Sequence, residues 1–465
     1  MQHRSDFRPL SILVGCAFFM EQLDATIISP AIPDIARSLA TNPLSLNITM
    51  TVYLLCSLAF IPLGGPLAAR WGTRSVFQCA ITLFVLGSLL CALSSGLVSL
   101  VLSRAVQGVG AALMVPVGRT AIVHTVGKPD LVQALAWMIT PAMVGPMLGP
   151  PLGALVTTYA SWEWIFLINV PIGLLGLLTS RRLMPQLRDQ CDAPFQAREW
   201  LLMSAVLTLA ILLLEQARHG TGATRLLMLG LPLAALAGWY ALRFRFAARP
   251  MVDFRLLSVG TLATGFWGGA LVRVGYGALP FLLPLMLQVG LGFSALESGA
   301  VLLSSGAVAF LAKTGTARLL RRWGFRRVLL WNGLLCALAL LGCALAGARG
   351  WSVAGAALVA SLAGLSRSIQ FNALTAISYA DLPPQKIALA TTLNTLGWQL
   401  AIMFGISLSA LAVEWSARLA GRSAPAASDF SMAFVVVALF AFAAMPWYRI
   451  LPGQAGQQLS GYRPR

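Results

Sequence analysis

Residues 69–96 read ARWGTRSVFQCAITLFVLGSLLCALSSG. Arg70 and Arg74 flank a Trp-Gly pair, and from Val76 to Leu93 the chain then runs without a charge. A run of this length crosses the ~30 Å hydrocarbon core of a bilayer as one helix. It is apolar on every face, so it is not an amphipathic surface helix. It does not alternate polar and apolar over ~10 residues either, as a barrel strand would. Such runs recur along all 465 residues: 58% are hydrophobic and 10% charged, against about 25% charged in soluble domains. That excludes a soluble or disordered chain and leaves an all-α, multi-pass integral membrane protein.

Apolar runs and their breakers give fourteen spans: 9–30, 46–69, 75–95, 98–119, 132–156, 162–180, 199–215, 225–242, 259–289, 296–316, 328–346, 352–376, 387–412 and 430–448. Fourteen spans of ~20–25 residues use roughly 280–350 residues and leave short loops. The ninth is long for a straight crossing and holds Pro280 and Pro284, which predict a kink. The first contains Glu21 and Asp24 and no A-x-A cleavage site, so it reads as a span rather than a leader.

The formal charge is +18, from 33 Lys+Arg against 15 Asp+Glu. In a soluble protein that would suggest nucleic acid. Here 30 of the 33 are Arg, dispersed over many short loops, so no nucleic-acid partner is expected. With both termini in the cytoplasm, 22 basic residues fall on the cytoplasmic side and six outside. Positive-inside asymmetry of this size sets the orientation and agrees with an even span count. The expected location is the cell inner membrane. The seven cysteines contain no CxxC pair, and the three histidines lie far apart, so no metal site is expected.

One motif repeats. RWGTRSV at 70–76 recurs as RWGFRRV at 322–328, an offset of 252 residues, each copy in a short basic loop between two spans. Two six-span halves with two extra central spans would place it so: 1–180, a linker with two spans at 181–258, and 259–465. Parallel halves of this kind are a transporter architecture, with the substrate site between them near the midplane.

Five stretches then carry a family resemblance: LDATII (23–28), continued by Ala31-Ile32-Pro33; GPLAARWGTR (65–74); RAVQGVGA (104–111); GPMLGPPLG (145–153); and WEWIFLINVPIG (162–173). In this order and topology the chain resembles the fourteen-span drug:proton antiporters of the major facilitator superfamily, most closely the multidrug resistance protein D-like transporters. The resemblance implies a major facilitator fold, proton-coupled efflux of drugs or other small molecules by alternating access, and a gating role for Gly65, Arg70, Gly72 and Arg74. It departs from the family in the loop after the second span, where Ala69 stands in place of an acid that helps hold the cytoplasmic side closed.

The residues themselves point to the same chemistry. Glu21 and Asp24 are the acids in the middle of a span; three residues apart, they lie ~60° apart on one helix face. A carboxylate buried in a membrane is costly unless it is paired or protonated, as a proton carrier alternately is. Arg104 is the expected partner, because counting from each span's entry puts it at Asp24's depth, in the outer half. Gly145, Gly149 and Gly153 form a small-residue stripe, and Pro146 with its neighbouring prolines bends the helix; packed on the opposite half, this would act as a hinge. Arg273, Arg367, Asn372, Asn394 and Gln399 are the candidate cavity-lining groups of the later spans.

No enzyme is expected: there is no clustered nucleophile or acid–base set at a membrane face. No GxxxxGK[ST] motif is present, so the expected energy source is the proton gradient, with no cofactor. The partners are then the bilayer, protons and a small-molecule substrate, in a chain expected to act as a monomer. Export of a small metabolite such as an organic acid is the alternative substrate class. A non-transporting membrane sensor is the alternative of another kind, though the loops leave little room for a signalling domain.

Overall fold

The computed structural model describes residues 7–126, 130–188, 197–218, 223–244, 253–349, 351–383, 386–422, 424–460 and 462. All regular elements among them are helical. Among the described residues, twelve helices are long and apolar enough to cross a membrane. Six lie in the first part of the chain: α1 Arg8–Ser38, α2 Pro43–Trp71, α3 Thr73–Ala92, α4 Leu97–Thr125, α5 Leu131–Tyr159 and α6 Trp164–Leu183. Two further helices follow, α7 Ala197–Arg218 and α8 Ala223–Phe244. The other six are α9 Gly260–Gly290, α10 (295–323), α11 (325–349), α12 Val353–Ser378, α13 Ile387–Leu419 and α14 Ala427–Ile450. The count reaches fourteen if α7 and α8 also cross; at 22 residues each they are ~33 Å long, enough to do so.

The chain divides into two compact units, Met1–Leu207 and Thr208–Arg465. The division falls within α7, inside the segment read from sequence as the linker. In the first unit the core is built by Val14, Phe77, Phe84, Met114 and Ile122, all fully buried. In the second it is built by Phe281, Leu285, Leu329, Phe434 and Val437. In α9 the prolines at 280 and 284 sit inside one helix, and wide π turns stand on either side of it at Thr264–Gly268 and Met286–Gly290.

The internal repeat extends well beyond seven residues. α1, α2 and α3 begin at 8, 43 and 73, and α9, α10 and α11 begin at 260, 295 and 325, each 252 residues later. The two loop glycines adopt the same backbone: Gly72 has φ 88°, ψ 147°, and Gly324 has φ 75°, ψ 163°. L side chains rarely adopt such angles, so glycine lets each helix break and restart within one residue. In each unit the turn is seated against the segment that follows the unit's last span. Gln186 packs on Gly72, and Tyr462 on Gly324.

Candidate functional site: a buried charged network in the first unit

α1, α3, α4 and α6 bring five polar side chains together inside the first unit. Arg104 donates to Asp24 Oδ2 at 2.6 Å, with the two side chains 1% and 0% exposed. The same nitrogen reaches Gln107 Oε1 at 2.6 Å. Gln107 in turn donates to Asp24 Oδ1 at 2.7 Å and to Ser88 Oγ at 2.8 Å. Asn169 donates to Asp24 Oδ1 at 2.9 Å and to Ser88 Oγ at 3.2 Å. Asp24 therefore accepts from a guanidinium and two amides, the arrangement that stabilises a carboxylate in a medium without water.

Aromatic rings complete the enclosure. The guanidinium carbon of Arg104 lies 4.2 Å from the centre of the Tyr53 ring and 5.8 Å from that of Phe166. Two glycines permit this convergence. A Cβ at Gly87 would lie 2.6 Å from the backbone nitrogen of Gln107, so α3 and α4 touch and set Ser88 beside Gln107. A Cβ at Gly108 would lie 2.5 Å from the Tyr53 carbonyl, so α2 approaches α4 and carries the ring to Arg104. Glu21, one turn before Asp24, keeps a buried Oε2 without a hydrogen-bond partner, as does the Tyr53 hydroxyl.

The glycine stripe lies against α1. A Cβ at Gly145 would stand 2.9 Å from the Leu23 nitrogen, and those at Gly149 and Gly153 would strike Thr26 and Ile27. The stripe, expected from sequence to pack on the opposite half, thus approaches the acid-bearing helix of its own unit. Pro146, Pro150 and Pro151 sit within one continuous helix.

The loop after α2 is tied inside the unit as well. Arg74 Nε donates to the Met184 carbonyl at 2.6 Å, and Thr73 Oγ1 donates to that of Pro185 at 2.6 Å. Gln186 donates to the Trp71 carbonyl at 3.0 Å. A backbone carbonyl thus accepts the Arg74 bond, and Ala69 offers no side-chain acceptor. Arg70 and Gly65 are exposed.

In the second unit Arg273 is 6% exposed, with its guanidinium carbon 3.8 Å from the Trp398 ring centre and 4.1 Å from that of Phe371. Asn394, one turn from Trp398, is fully buried, and neither its nitrogen nor its oxygen has a partner. Gln399 keeps a buried Oε1 unpartnered. Arg367 and Asn372 are half-buried on α12. Nearby, Tyr276, which occupies Asp24's place at the 252-residue offset, bonds Ser366 at 2.8 Å.

Sequence reasoning reached Asp24 and Arg104 but not Gln107, Asn169, Ser88 or Tyr53. Gln107 and Asn169 stand inside the quoted stretches 104–111 and 162–173, and mid-span amides are the signal that could have found them.

Repeated halves in a helical membrane protein are a transporter architecture, and similarity to known proteins supplies the family. The model of the Major Facilitator Superfamily matches residues 14–406. The chain belongs to that superfamily and is a multi-pass membrane transporter, acting on a small-molecule substrate. It is 36% identical over 404 residues to "Putative multidrug resistance protein MdtD" of Shigella flexneri serotype 5b and to its namesake in Escherichia fergusonii. In both cases the match covers 86% of this chain and 84% of the relative. Among solved structures it resembles an auto-inhibited POT family peptide transporter (TM-score 0.69, 17% identity, 98% of this chain and 99% of that one). It also resembles a bacterial homolog of the human lysosomal transporter Spinster, in an inward-facing form (TM-score 0.66, 13% identity, 99% of each chain). At these identities the structures speak for the fold alone.

Proposed function

We propose that the chain is a proton-coupled exporter of drug-like small molecules, working by alternating access in the cell inner membrane with both termini in the cytoplasm. Fourteen spans, a monomeric working unit and a proton gradient as the sole energy source, with no cofactor, belong to this reading. The observation that carries it is the Asp24–Arg104 pair. A proton taken up by Asp24 removes one negative charge from the network and weakens its hold on Arg104, Gln107 and Asn169. Proton binding is thereby linked to the packing of α1 against α3, α4 and α6. Glu21 lies on the same helix face. The glycine stripe of α5 rests on this same helix, so a shift of α1 would be felt along it; Gly145, Pro146, Gly149 and Gly153 act there as the gating face. Gly65 and Arg70 at the end of α2, Gly72 at the turn and Arg74 at the start of α3 act as the cytoplasmic part of the gate. The multidrug resistance names of the relatives support efflux as the direction.

Export of an organic acid is a second reading, favoured by the buried cation Arg273. Arg367, Asn372, Asn394 and Gln399 are proposed with it as substrate-cavity residues.

Expression in an efflux-deficient strain, challenged with a compound panel, tests the export reading. The expected result is reduced accumulation of one or more compounds, reversed by a protonophore. Export that continues undiminished after collapse of the proton gradient would overturn the coupling; accumulation unchanged for every compound, acids included, would overturn export.

A further inference from the structure

The two units each bury an arginine, but among the described residues only one of the two has a counter-ion. Arg104 is matched by Asp24. Arg273 lies thirteen residues into α9, ~20 Å along a ~30 Å core, where snorkelling to a headgroup is out of reach. Its sole hydrogen bond among the described residues runs from Nη1 to the Gly269 carbonyl of its own helix, at 3.2 Å. A guanidinium carries five N–H donors. Two rings within about 4 Å of one carbon cannot share a face of it, so Phe371 and Trp398 hold the guanidinium between them. Ring faces attract a cation but are at best weak hydrogen-bond acceptors. Most of the fork is left without an oxygen.

Among the described side chains no resident acid fills the gap. The second-unit acids whose side chains are described are engaged elsewhere or exposed. Glu297 bonds Ser294 at its helix start, Asp429 is held by Arg422 and Ser416, and Glu414 faces Arg418. Asp253 caps Arg255, and Asp381 is exposed. One turn before Trp398, on the same face of α13, the fully buried amide of Asn394 has neither its nitrogen nor its oxygen hydrogen-bonded among the described residues. An unpaired cation in a membrane interior is costly to keep, and such residues mark ligand pathways. A buried amide without partners adds to that cost.

We infer that α9, α12 and α13 form an anion-binding site in which Arg273 receives the carboxylate of an organic acid, Phe371 and Trp398 flank it with aromatic surface, and Asn394 supplies a further donor and acceptor. This rests on the transporter reading above and deepens its second form, export of an organic acid, by giving the site that would hold the carboxylate and the aromatic body it favours. A planar fork fixed between rings matches a carboxylate in two-point contact, which a lysine cannot reproduce. The rings favour an acid with an aromatic or flat apolar body.

The probes are 2-naphthoate, 2-naphthamide and 2-naphthylmethylammonium, equal in shape and different in charge. They are titrated calorimetrically into the full-length protein in nanodiscs at neutral pH, with empty nanodiscs as blank. Naphthoate is expected to bind at least tenfold more tightly than the amide, and the ammonium most weakly. Arg273→Gln should abolish the preference, and Asn394→Leu should reduce naphthoate affinity severalfold. Should Arg273→Gln not fold, Arg273→Lys decides: the preference must fall at least threefold. Equal affinity for naphthoate and naphthamide in the unaltered protein, or an unchanged preference in the Arg273 variants, overturns the site. Proton-driven export of an uncharged or cationic compound without naphthoate binding would sink this inference and leave the transporter reading standing. Naphthoate binding without proton-driven movement of any solute would do the reverse.

Discussion

Replacing Arg104 by Gln removes the cation from a site where Asp24 is fully buried. Breaking a buried pair from one side strands the other charge and costs ~3–5 kcal/mol. Asp24→Asn strands the guanidinium instead, at comparable cost. Removing both leaves amides that can still bond Gln107, Asn169 and Ser88, and no buried charge. The double variant should therefore lose less than the sum of the singles, by ~1–3 kcal/mol. By the scaling of domains of about 200 residues, each single variant should lower the unfolding midpoint by roughly 6–20 °C. The assay is thermal unfolding in nanodiscs with a thiol-reactive dye. Cys91 is fully buried in the first unit, whereas Cys336 and Cys343 are 0% and 2% exposed in the second. With the remaining cysteines replaced, Cys91 should become reactive earlier in Arg104→Gln while Cys336 and Cys343 shift less. A midpoint within ~1 °C of the unaltered protein, or a double variant that costs the full sum, would refute the reasoning.

Two further outcomes follow from backbone geometry, and one from topology. Gly72→Ala places a Cβ at φ 88° and against Gln186; it should cost ~1–2 kcal/mol, seen as earlier Cys91 exposure. Gly145→Leu forces side-chain volume against the α1 backbone and should cost ~1–3 kcal/mol or more, read as a loss of monodisperse protein after purification. Single cysteines at Arg188 and Arg422 should be labelled from the cytoplasm and from outside respectively. A cysteine at Gly220 should be labelled from outside if α7 and α8 cross, and from the cytoplasm if they do not.

The sequence made some of this legible and hid the rest for physical reasons. Depth along a helix follows from a 1.5 Å rise, so counting from each membrane entry was enough to pair Asp24 with Arg104 across 80 residues. Helix rotation and crossing do not follow from counting. They depend on contacts such as Gly87 with Gln107 and Gly108 with Tyr53, which is why the amides and the ring around the pair escaped notice. The repeat showed in seven residues because a glycine with positive φ admits few substitutes, whereas lipid-facing and packing positions need only size and apolarity. The coincidence of three helix starts at one offset became visible only in the fold. The ties from Met184–Leu187 to residues 71–75 are hydrogen bonds over more than a hundred residues, most of them between a side chain and a backbone group, and no residue pattern announces them. The rings that enclose Arg273 come from two other helices, so α9 read alone showed a charge without its setting.

The central claim is that Asp24 links proton movement to solute movement. Its most direct test is proton flux in proteoliposomes with an internal pH dye, using a compound returned by the efflux panel. Adding the compound to vesicles carrying a proton gradient should produce a compound-dependent change in internal pH. The compound should accumulate uphill as the gradient dissipates. Asp24→Asn should abolish both signals and retain downhill exchange of the compound. Uphill accumulation by Asp24→Asn at the unaltered rate, with the same pH change, would contradict the account.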